Sequence, residues 1–451
     1  MRRRSTRLLA ALLVLTLVAA ACGRDDDSGD TGDDRGDGEG QEEATAIPTE
    51  NCATDPSEEI EGDVIRLVSS YPQSGLTAAF SEIARGWRSY FQMVNDEGGV
   101  QIGERTFTFE FEAKDDEYNP ARTASNIDEL VGPDGTDAFA VFSVVGTANN
   151  IAIRDTLNDL CVPDLFAATG SPAWGNPDYP WLIGSTLAPY TLEGQMFARV
   201  LAEEKPDATV AMLVQDDDFG DAYEEGFRQA IEGTDIEIVE VARYPAGEGD
   251  VGTQVTTLAA TKADAFFNGG TLLACPDALT QAARRNWEPI TWVSGTCISK
   301  TLMGIAGEAA DGVFSASNIK DPLDPQWDDD EAMQLYEETV SKYEPEADLD
   351  NGIVAYGWTQ AAIFVEALKS VDTPSRLAVM EAIRNIDGIG DVGLLLPGVT
   401  IHTAAPDDEF MGEQLQLVQY DFAAGHFTLV GDLVDMEGQT PELTPEDLIR
   451  G

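Results

Sequence analysis

Two short motifs have residue types and spacing that suit a nucleotide or a metal ion. Residues 247–252 (GEGDVG) match G-x-G-x-x-G, a loop that holds the pyrophosphate of a dinucleotide at a helix N-terminus. Glu248 and Asp250 would place carboxylates against that pyrophosphate, so we predict an ordinary loop here. Residues 216–221 (DDDFGD) lack the alternating oxygen donors of an EF-hand loop, and we expect a turn whose carboxylates favour the following helix. We therefore predict no cofactor and no metal site.

Catalytic chemistry is also poorly supported by the residue types. The chain has two histidines, His402 and His426, and neither has a second His or a Cys at the spacing of a metal site. No Walker A sequence, G-x-S-x-G elbow or H-E-x-x-H motif is present. A hydrolase needs a nucleophile, a base and an oxyanion site together, and no such set is visible. We therefore predict that the protein is not an enzyme.

The charge balance excludes another class of partner. Asp and Glu total 82 against 27 Lys and Arg, which gives a formal net charge of −55. Such a field repels phosphate backbones, so we predict no nucleic-acid binding. It also repels an anionic membrane surface, so attachment to a membrane would need a separate device.

Three loops rich in Gly, Ser and Thr are better candidates for a site, because they offer hydroxyls and free backbone N–H groups to a small molecule. They are residues 71–75 (YPQSG), 146–149 (GTAN) and 168–171 (ATGS), each at the end of a predicted strand. Ligands of open α/β sheets sit at the carboxyl ends of the strands. Helix N-termini there suit a small carboxylate, and the hydroxyls of Thr147 and Ser171 can add hydrogen bonds.

Alternating strands and helices would position these loops. DVIRLVSSY and RTFTFEFEA are typical of strands, and AFAVFSVVG is an apolar run typical of a parallel strand covered on both faces. Between the first two, apolar residues from Phe80 to Val94 recur at helical spacing and end at Gly98. The same pattern restarts after residue 185. The fold class is therefore predicted to be α/β, with two doubly wound, Rossmann-like units around mostly parallel sheets.

The first residues are typical of a bacterial export signal. Four arginines within residues 1–7 precede the apolar run 8–20, which is too short to cross a membrane. The run ends in Ala-Ala-Ala-Cys22, which resembles the lipobox of bacterial lipoproteins and implies a signal peptide of residues 1–21 and a lipid on Cys22. Ordinary cleavage that leaves a free thiol is the alternative. Residues 22–62 are dense in Asp, Glu and Gly, so we expect a flexible acidic linker behind the anchor.

The other four cysteines are an even number in an exported chain, which indicates two disulfides. Pairing Cys275 with Cys297 and Cys52 with Cys161 closes the simplest loops. Four cysteines allow three connectivities, so the pairing stays open at this stage.

Several segments resemble, in order and spacing, the periplasmic branched-chain amino-acid-binding proteins of ABC importers. The resemblance runs from about residue 63 to 435, and it is carried by GLTAAFSEIARGWRSYFQMVNDEGGV, DDEYNPARTASNIDELV, NIAIRDTLNDLCVPDLF, ATGSPAWG, VQDDDFGDAYEEGF and YGWTQAAIFVEAL. It implies the type I Venus flytrap fold, in which two lobes joined by three crossovers close around a ligand. Lobe 1 would comprise residues 63–185 and 312–410, lobe 2 residues 186–311 and 411–440, and residues 441–451 a tail.

The resemblance also implies which residues contact the ligand. Thr147 and the backbone of Ala148 would hold a carboxylate, and the loop of Ala168, Gly170 and Ser171 would add further contacts. The remaining candidates are Tyr71 from its Gly/Ser loop, Tyr190 near the first crossover, and Phe219, Thr271 and Thr296 in the second lobe. The acid that usually holds the amino group of the ligand is not evident, and Thr296 stands near its position. An amino acid, a small organic acid, an amide and an apolar carboxylate therefore all stay open.

These observations together predict an extracytoplasmic solute-binding lipoprotein of an ABC importer. It would be a monomer on the outer face of the cell membrane, anchored through Cys22. It would capture a small amino acid or a related small carboxylate or amide and deliver it to the membrane permease. The alternative is a receptor domain of the same fold that senses its ligand for signalling rather than for transport.

Overall fold

The computed structural model describes residues 47–132 and 137–441 of the chain. The predicted signal peptide, the lipidation site at Cys22, and parts of the linker and of the tail lie outside the described residues. Among the helices that are described, none has both the length and the hydropathy that a membrane span requires.

The described residues contain fifteen strands arranged in three sheets. In chain order they are β1 (Val64–Tyr71), β2 (Val100–Ile102), β3 (Arg105–Asp115), β4 (Ala140–Phe142), β5 (Asp164–Ala167), β6 (Leu182–Gly184), β7 (Thr209–Gln215), β8 (Glu237–Tyr244), β9 (Ala265–Gly269), β10 (Ile290–Val293), β11 (Phe314–Ser317), β12 (Asp387–Gly390), β13 (Thr400–His402), β14 (Gln414–Asp421) and β15 (His426–Asp435). β12 and β13 form a separate antiparallel pair, and the other strands form the sheets of two lobes.

Eleven α-helices connect and cover these sheets in the described part of the chain. They are α1 (Glu82–Asp96), α2 (Pro120–Val131), α3 (Thr147–Leu160), α4 (Tyr190–Glu204), α5 (Asp218–Ala230), α6 (Gly252–Thr261), α7 (Ala274–Arg284), α8 (Lys300–Ala306), α9 (Glu331–Tyr343), α10 (Gly352–Leu368) and α11 (Arg376–Ile383). The alternation of strand and helix predicted from the sequence is confirmed.

The first lobe is built on a six-stranded sheet in the order β2-β3-β1-β4-β5-β6. β2 is antiparallel to β3, and the other neighbours are parallel. Successive residues of a strand point to opposite faces, and Leu67 and Val68 of β1 are both buried, because helices cover both sides of the sheet. On one side Phe91 of α1 packs between Phe109 of β3 and Phe364 of α10, at ring distances of 4.5 and 6.2 Å.

The second lobe is built on a seven-stranded sheet in the order β15-β14-β11-β10-β9-β7-β8. β7 to β11 are parallel to one another, and β14 and β15 close one edge, where β14 is antiparallel to both β11 and β15. Phe197 of α4 lies 5.7 Å from both Phe267 and Trp292, which fixes α4 against the centre of the sheet. The lobe therefore has a core of its own.

Within residues 47–132 and 137–441 the chain passes between the lobes three times: after β6, after β11 and after β13. β11 follows residue 312, where the first lobe was expected to resume, yet it pairs with β10 and β14 in the second sheet. The second passage therefore comes after Ser317. The connecting segments lie beside one another: Nδ2 of Asn318 donates to the carbonyl of Thr186 at 2.7 Å, and Gly412 packs against the carbonyl oxygens of Thr186 and Leu187.

The two motifs that resemble nucleotide and metal sites have ordinary structural roles. Residues 247–251 form the connection from β8 to α6, which confirms the predicted loop. Asp217 is the N-cap of α5, and its side chain accepts a hydrogen bond from the backbone N–H of Gly220. Asp218 and Asp221 lie in the first turn of α5, where their charges favour the helix.

Two disulfides are present among the described cysteines. Cys52 pairs with Cys161, so the segment before β1 is tied to the end of α3. Cys275 of α7 pairs with Cys297, which follows β10. The predicted pairing is confirmed.

Candidate ligand-binding cleft

A cavity of about 130 Å³ lies between the two lobes. The first lobe contributes Phe80, Ile83, Tyr118, Val145, Gly146 and Ala168; the second lobe contributes Tyr190, Glu193, Phe219, Thr271, Gly295 and Thr296; and Thr186, Leu187, Ala188 and Asn318 come from the crossovers. A molecule in this space would touch both lobes, so its binding would depend on how far the lobes have closed.

The structure brings five of the ten predicted ligand residues to this cavity. They are Ala168, Tyr190, Phe219, Thr271 and Thr296. The other five, Tyr71, Thr147, Ala148, Gly170 and Ser171, are not among the residues that line it.

The N-terminus of α3, where a carboxylate was expected, is covered by an aromatic ring. Gly146, the N-cap of α3, has a φ of +102°, and a Cβ atom there would lie 2.7 Å from Cε2 of Tyr118. The hydroxyl of Tyr118 forms a side-chain hydrogen bond with Gln215 of the second lobe. Tyr118 therefore packs against the N-cap of α3 and links the two lobes at the same time.

The hydroxyl of Thr147 is already paired inside the first lobe. It lies 2.6 Å from Oγ1 of Thr169, which in turn lies 3.1 Å from the hydroxyl of Tyr190. Thr147 is 1% exposed. This buried chain of hydroxyls fixes the position of Tyr190 and leaves Thr147 without a role at the cavity surface.

Gly170, Ser171 and Tyr71 also contact other residues of the protein rather than the cavity. The carbonyl of Gly170 accepts a hydrogen bond from the backbone N–H of Tyr190 at 2.8 Å. Oγ of Ser171 accepts a hydrogen bond from the backbone N–H of Ala173 and caps a short 3-10 helix. Tyr71 packs edge-on against Trp87 at the end of β1. The loop at 170–171 therefore supports Tyr190 instead of lining the cavity.

Aromatic rings of the second lobe form one wall of the cavity. Tyr190, in the first turn of α4, stacks on Tyr223 at 4.5 Å and meets the edge of Phe219 at 5.0 Å. Phe219 lies in the first turn of α5, just after the Asp217 cap. Because each of the three rings packs against the other two, their positions are fixed and this wall is largely apolar.

Two threonine hydroxyls at the cavity are buried without a hydrogen-bond partner among the described residues. They belong to Thr186 in the first crossover and to Thr271 after β9. Buried hydroxyls are nearly always paired, so each has free hydrogen-bonding capacity for a bound molecule. Thr271 is held in place by its backbone N–H, which donates to the hydroxyl of Tyr244 at 3.0 Å.

A buried carboxylate, Glu193, also lines the cavity. It accepts hydrogen bonds from the hydroxyl of Tyr223 at 2.8 Å, from the backbone N–H of Gly295 at 2.9 Å and from Nε1 of Trp292 at 3.3 Å. Burial raises the pKa of Glu193 from its ordinary 4.5 to about 7, although these hydrogen bonds act in the opposite direction. The carboxylate is thus stabilised by neutral donors alone, and a cation beside it would be favoured.

Glu193, Thr186 and Tyr118 line the cavity but were not predicted from the sequence. Glu193 had one usable signal: it follows Tyr190 by three residues on α4, so a helix that presents one to the cavity presents the other beside it. Thr186 and Tyr118 had no comparable signal, because each reaches the cavity through contacts with residues distant in the sequence.

The cationic side chains of the lining are neutralised. Nζ of Lys320 lies 2.8 Å from a carboxylate oxygen of Asp330, and Lys300 forms an ion pair with Asp350. Among the described residues that line the cavity, no lysine is therefore left unpaired to bind an anionic group of a ligand. A neutral or zwitterionic ligand suits this charge distribution better than a strongly anionic one.

A family model described as periplasmic binding protein matches residues 64–425 of the chain. Comparison with curated protein sequences finds no match.

Solved structures share the fold at low sequence identity. A substrate-binding periplasmic protein from Ralstonia solanacearum is 22% identical with a TM-score of 0.71, over 81% of this chain and 100% of that one. A branched-chain amino acid ABC transporter protein from Thermus thermophilus with bound valine is 18% identical with a TM-score of 0.72, over 83% and 97%. A fatty acid ABC transporter substrate-binding protein from Thermomonospora curvata is 20% identical with a TM-score of 0.71, over 84% and 94%.

Proposed function

The chain belongs to the periplasmic binding protein family, and we propose that it captures a small amino acid, or a related small carboxylate or amide, between its two lobes. The observation that carries the proposal is the cavity whose walls come from both lobes and whose two buried threonine hydroxyls lack partners. A ligand that pairs with Thr186 and Thr271 would favour the closed arrangement of the lobes over the open one.

Glu193 supports a ligand that carries an amino group. No acid could be assigned to this task from the sequence, and Thr296 stood near the expected position. Glu193 lies in the same cavity wall as Thr296, and its carboxylate is buried without a cationic partner among its hydrogen bonds. A ligand ammonium would neutralise it, and a charge-assisted hydrogen bond of this kind contributes about 1.5–3 kcal/mol. The valine in the Thermus thermophilus relative is a ligand of this type.

Delivery to an ABC permease is the second part of the proposal. Two of the similar structures are ABC transporter proteins for branched-chain amino acids and for fatty acids. The basic and apolar run before Cys22 supports export and a lipid anchor, which would keep the protein on the outer face of the cell membrane. A monomer held by the acidic linker could then reach the permease.

The proposal is tested by the melting temperature of residues 23–451, kept oxidised, against a panel of small molecules. The panel contains aliphatic and aromatic amino acids, their amides and the matching acids without the amino group. A ligand at a hundred times its dissociation constant adds about 2.7 kcal/mol of stability, which is an easily measured shift. We expect amino acids to raise the melting temperature more than the matching desamino acids.

The outcomes separate the parts of the proposal. If only desamino acids or amides stabilise the protein, solute capture stands and the role of Glu193 is wrong. If no member of the panel shifts the melting temperature, capture of a small amino acid, carboxylate or amide is contradicted.

A further inference from the structure

Two loops of the second lobe that line the cavity are cross-linked by a disulfide. Thr271 lies in the loop after β9, and Gly295 and Thr296 lie in the loop after β10. Cys275 is the second residue of α7, and Cys297 is the last residue of the short 3-10 helix that contains Gly295. The disulfide between them therefore joins the two loops four residues after Thr271 and one residue after Thr296.

Hydrogen bonds of Asn268, at the end of β9, join the same two loops. Its Nδ2 donates to the carbonyl of Cys275 at 3.1 Å, and its carbonyl accepts a hydrogen bond from the backbone N–H of Ser294 at 3.0 Å. Sγ of Cys297 lies 3.2 Å from the carbonyl oxygen of Gly270. Asn268 and both cysteines are fully buried. The disulfide is therefore part of one buried junction between the ends of β9 and β10.

This junction places the backbone of Gly295 directly on the carboxylate of Glu193. The N–H of Gly295 donates to the carboxylate at 2.9 Å, and a Cβ atom on Gly295 would lie 2.9 Å from Oε1. The other groups that face the carboxylate are Tyr223 of α5, Trp292 of β10 and Tyr190 of the same helix. Burial raises the pKa of both tyrosines, so all three are neutral near pH 7. The covering of Glu193 thus depends on where the loop with Gly295 is held.

The other disulfide has the same chemistry but lies far from the cavity. Cys161 is the C-cap of α3, a helix of 14 residues whose N-cap, Gly146, lines the cavity. At about 1.5 Å per residue, Cys161 is about 20 Å from the cleft end of this helix. Neither Cys52 nor Cys161 is among the residues that line the cavity. This pair can therefore separate a general effect on stability from an effect on the site.

We propose that the Cys275–Cys297 disulfide is a positioning element of the ligand site, which holds the loops of Thr271 and Gly295 where they contact the ligand and cover Glu193. Solute capture then requires this cross-link, whereas Cys52–Cys161 contributes to stability alone. The part that concerns the ligand rests on the proposed function. The covering of Glu193 does not, because it is present in the protein without ligand.

The test compares Cys275→Ala/Cys297→Ala with Cys52→Ala/Cys161→Ala in oxidised residues 23–451. In the chain-entropy view a disulfide stabilises more when it closes a longer loop, and the second pair spans 109 residues against 22 for the first. We therefore expect Cys52→Ala/Cys161→Ala to lose at least as much melting temperature as the other variant. A change at the site that is confined to Cys275→Ala/Cys297→Ala is then not a result of lower stability.

The first readout is the free energy of unfolding at pH 5 and pH 8. Burial is the largest cause of the raised pKa of Glu193, so water that enters beside a released loop lowers this pKa toward its ordinary 4.5. The loss of stability between the two pH values should then shrink toward that of Glu193→Gln in Cys275→Ala/Cys297→Ala. It should stay at the wild-type value in Cys52→Ala/Cys161→Ala. Equal pH dependence in the two double variants overturns the inference.

The second readout is calorimetric titration with leucine. Loss of a hydrogen bond to a charged group costs about 1.5–3 kcal/mol, so Cys275→Ala/Cys297→Ala should bind leucine roughly tenfold to hundredfold more weakly. Cys52→Ala/Cys161→Ala should change the dissociation constant less than about twofold, and an equal loss in both variants overturns the inference. If the wild type does not bind leucine, the proposed function is weakened, and the pH comparison still decides the positioning role. If Cys275→Ala/Cys297→Ala does not fold, Cys275→Val/Cys297→Ala, which restores side-chain volume, replaces it.

Discussion

The two walls of the cleft use similar residues in opposite ways. In the first lobe, the hydroxyl of Thr147 is hydrogen-bonded to Thr169, and the hydroxyl of Ser171 accepts a hydrogen bond from the backbone N–H of Ala173. In the second lobe, the hydroxyl of Thr271 is buried at the cavity without a partner among the described residues. A threonine in a strand-to-helix loop therefore indicates a candidate site, but its hydrogen-bond partners decide whether it is free to bind.

The same contrast appears in the set of predicted ligand residues. Of the six predicted in the first lobe, Ala168 alone is among the residues that line the cavity. The four residues predicted in the second lobe all line the cavity: Tyr190, Phe219, Thr271 and Thr296. The predicted residues of the first lobe thus mostly hold other residues of the cleft in place, and those of the second lobe supply polar contacts and aromatic surface to the cavity.

The largest expected effect concerns the buried charge of the second wall. Because the pKa of Glu193 is raised from 4.5 to about 7 by folding, the folded protein without ligand binds more protons than the unfolded chain between these values. The raised pKa of Glu193 therefore stabilises the folded protein below pH 4.5. This stabilisation, about 3 kcal/mol in the free energy of unfolding, is lost as the pH rises through 7. We expect Glu193→Gln to lose less stability than the wild type between pH 5 and pH 8.

The measurement is denaturant unfolding at the two pH values. Burial also raises the pKa of Asp164 to about 8 and that of Asp217 to about 6. These two carboxyls therefore also lower the stability of the wild type as the pH rises. The difference between the wild type and Glu193→Gln isolates the single carboxyl. Glu203→Gln, on an exposed position of the same helix, serves as the control. An unchanged pH dependence in Glu193→Gln would contradict the buried, unneutralised state of this carboxylate.

The next effect concerns the supporting role of the first wall. In Gly170→Ala the new Cβ would lie 2.1 Å from the carbonyl oxygen of Ala188, so the backbone must shift, at a cost of about 1–3 kcal/mol. We expect a lower melting temperature and, because Gly170 holds the backbone of Tyr190, weaker ligand binding as well. Gly304→Ala in α8 is the control, since a Cβ there meets open space. If Gly170→Ala weakens binding and melts like Gly304→Ala, then Gly170 contacts the ligand and the comparison of the two walls is wrong.

The smallest effects separate the two threonines directly. Thr271→Val removes a hydroxyl that has no protein partner, so it should weaken ligand binding roughly threefold to tenfold and leave the melting temperature unchanged. Thr147→Val removes the bond to Thr169, so it should cost about 1 kcal/mol of stability and change the dissociation constant less than twofold. Calorimetric titration and thermal unfolding of both variants provide the comparison. The reverse pattern would place the ligand at the N-terminus of α3.

Much of the fold could be predicted because local patterns and tertiary structure agree. The helical spacing from Phe80 to Val94 is observed as α1, which packs its apolar side on the first sheet. The strand expected at AFAVFSVVG is shorter: β4 ends at Phe142, because Ser143 adopts a φ of +57° and its hydroxyl donates to Gln360 of α10. β11 had no local signal, since FSAS becomes a strand only between β10 and β14.

The site could be predicted only in part, because it depends on contacts between residues that are distant in the sequence. Composition located the loops, and the resemblance located Tyr190, Phe219, Thr271 and Thr296. The state of a buried polar group depends on partners far along the chain: Glu193 is paired with Gly295, and Tyr118 lies on Gly146. Such pairings are set by the packing of the lobes, and a single sequence carries no local pattern for them. The boundary expected at residue 312 lies instead after Ser317, because β11 pairs within the second sheet, and the lipidation of Cys22 stays a prediction.

A crystal structure of the complex with the ligand that binds most tightly tests whether the ligand lies between the lobes. We expect the ligand between the lobes, with its polar head at hydrogen-bonding distance, about 2.7–3.2 Å, from the hydroxyl of Thr186 or Thr271. We also expect the apolar part of the ligand to lie against Phe219. A ligand bound outside the cleft, or one whose head leaves both hydroxyls without a partner, would contradict this placement.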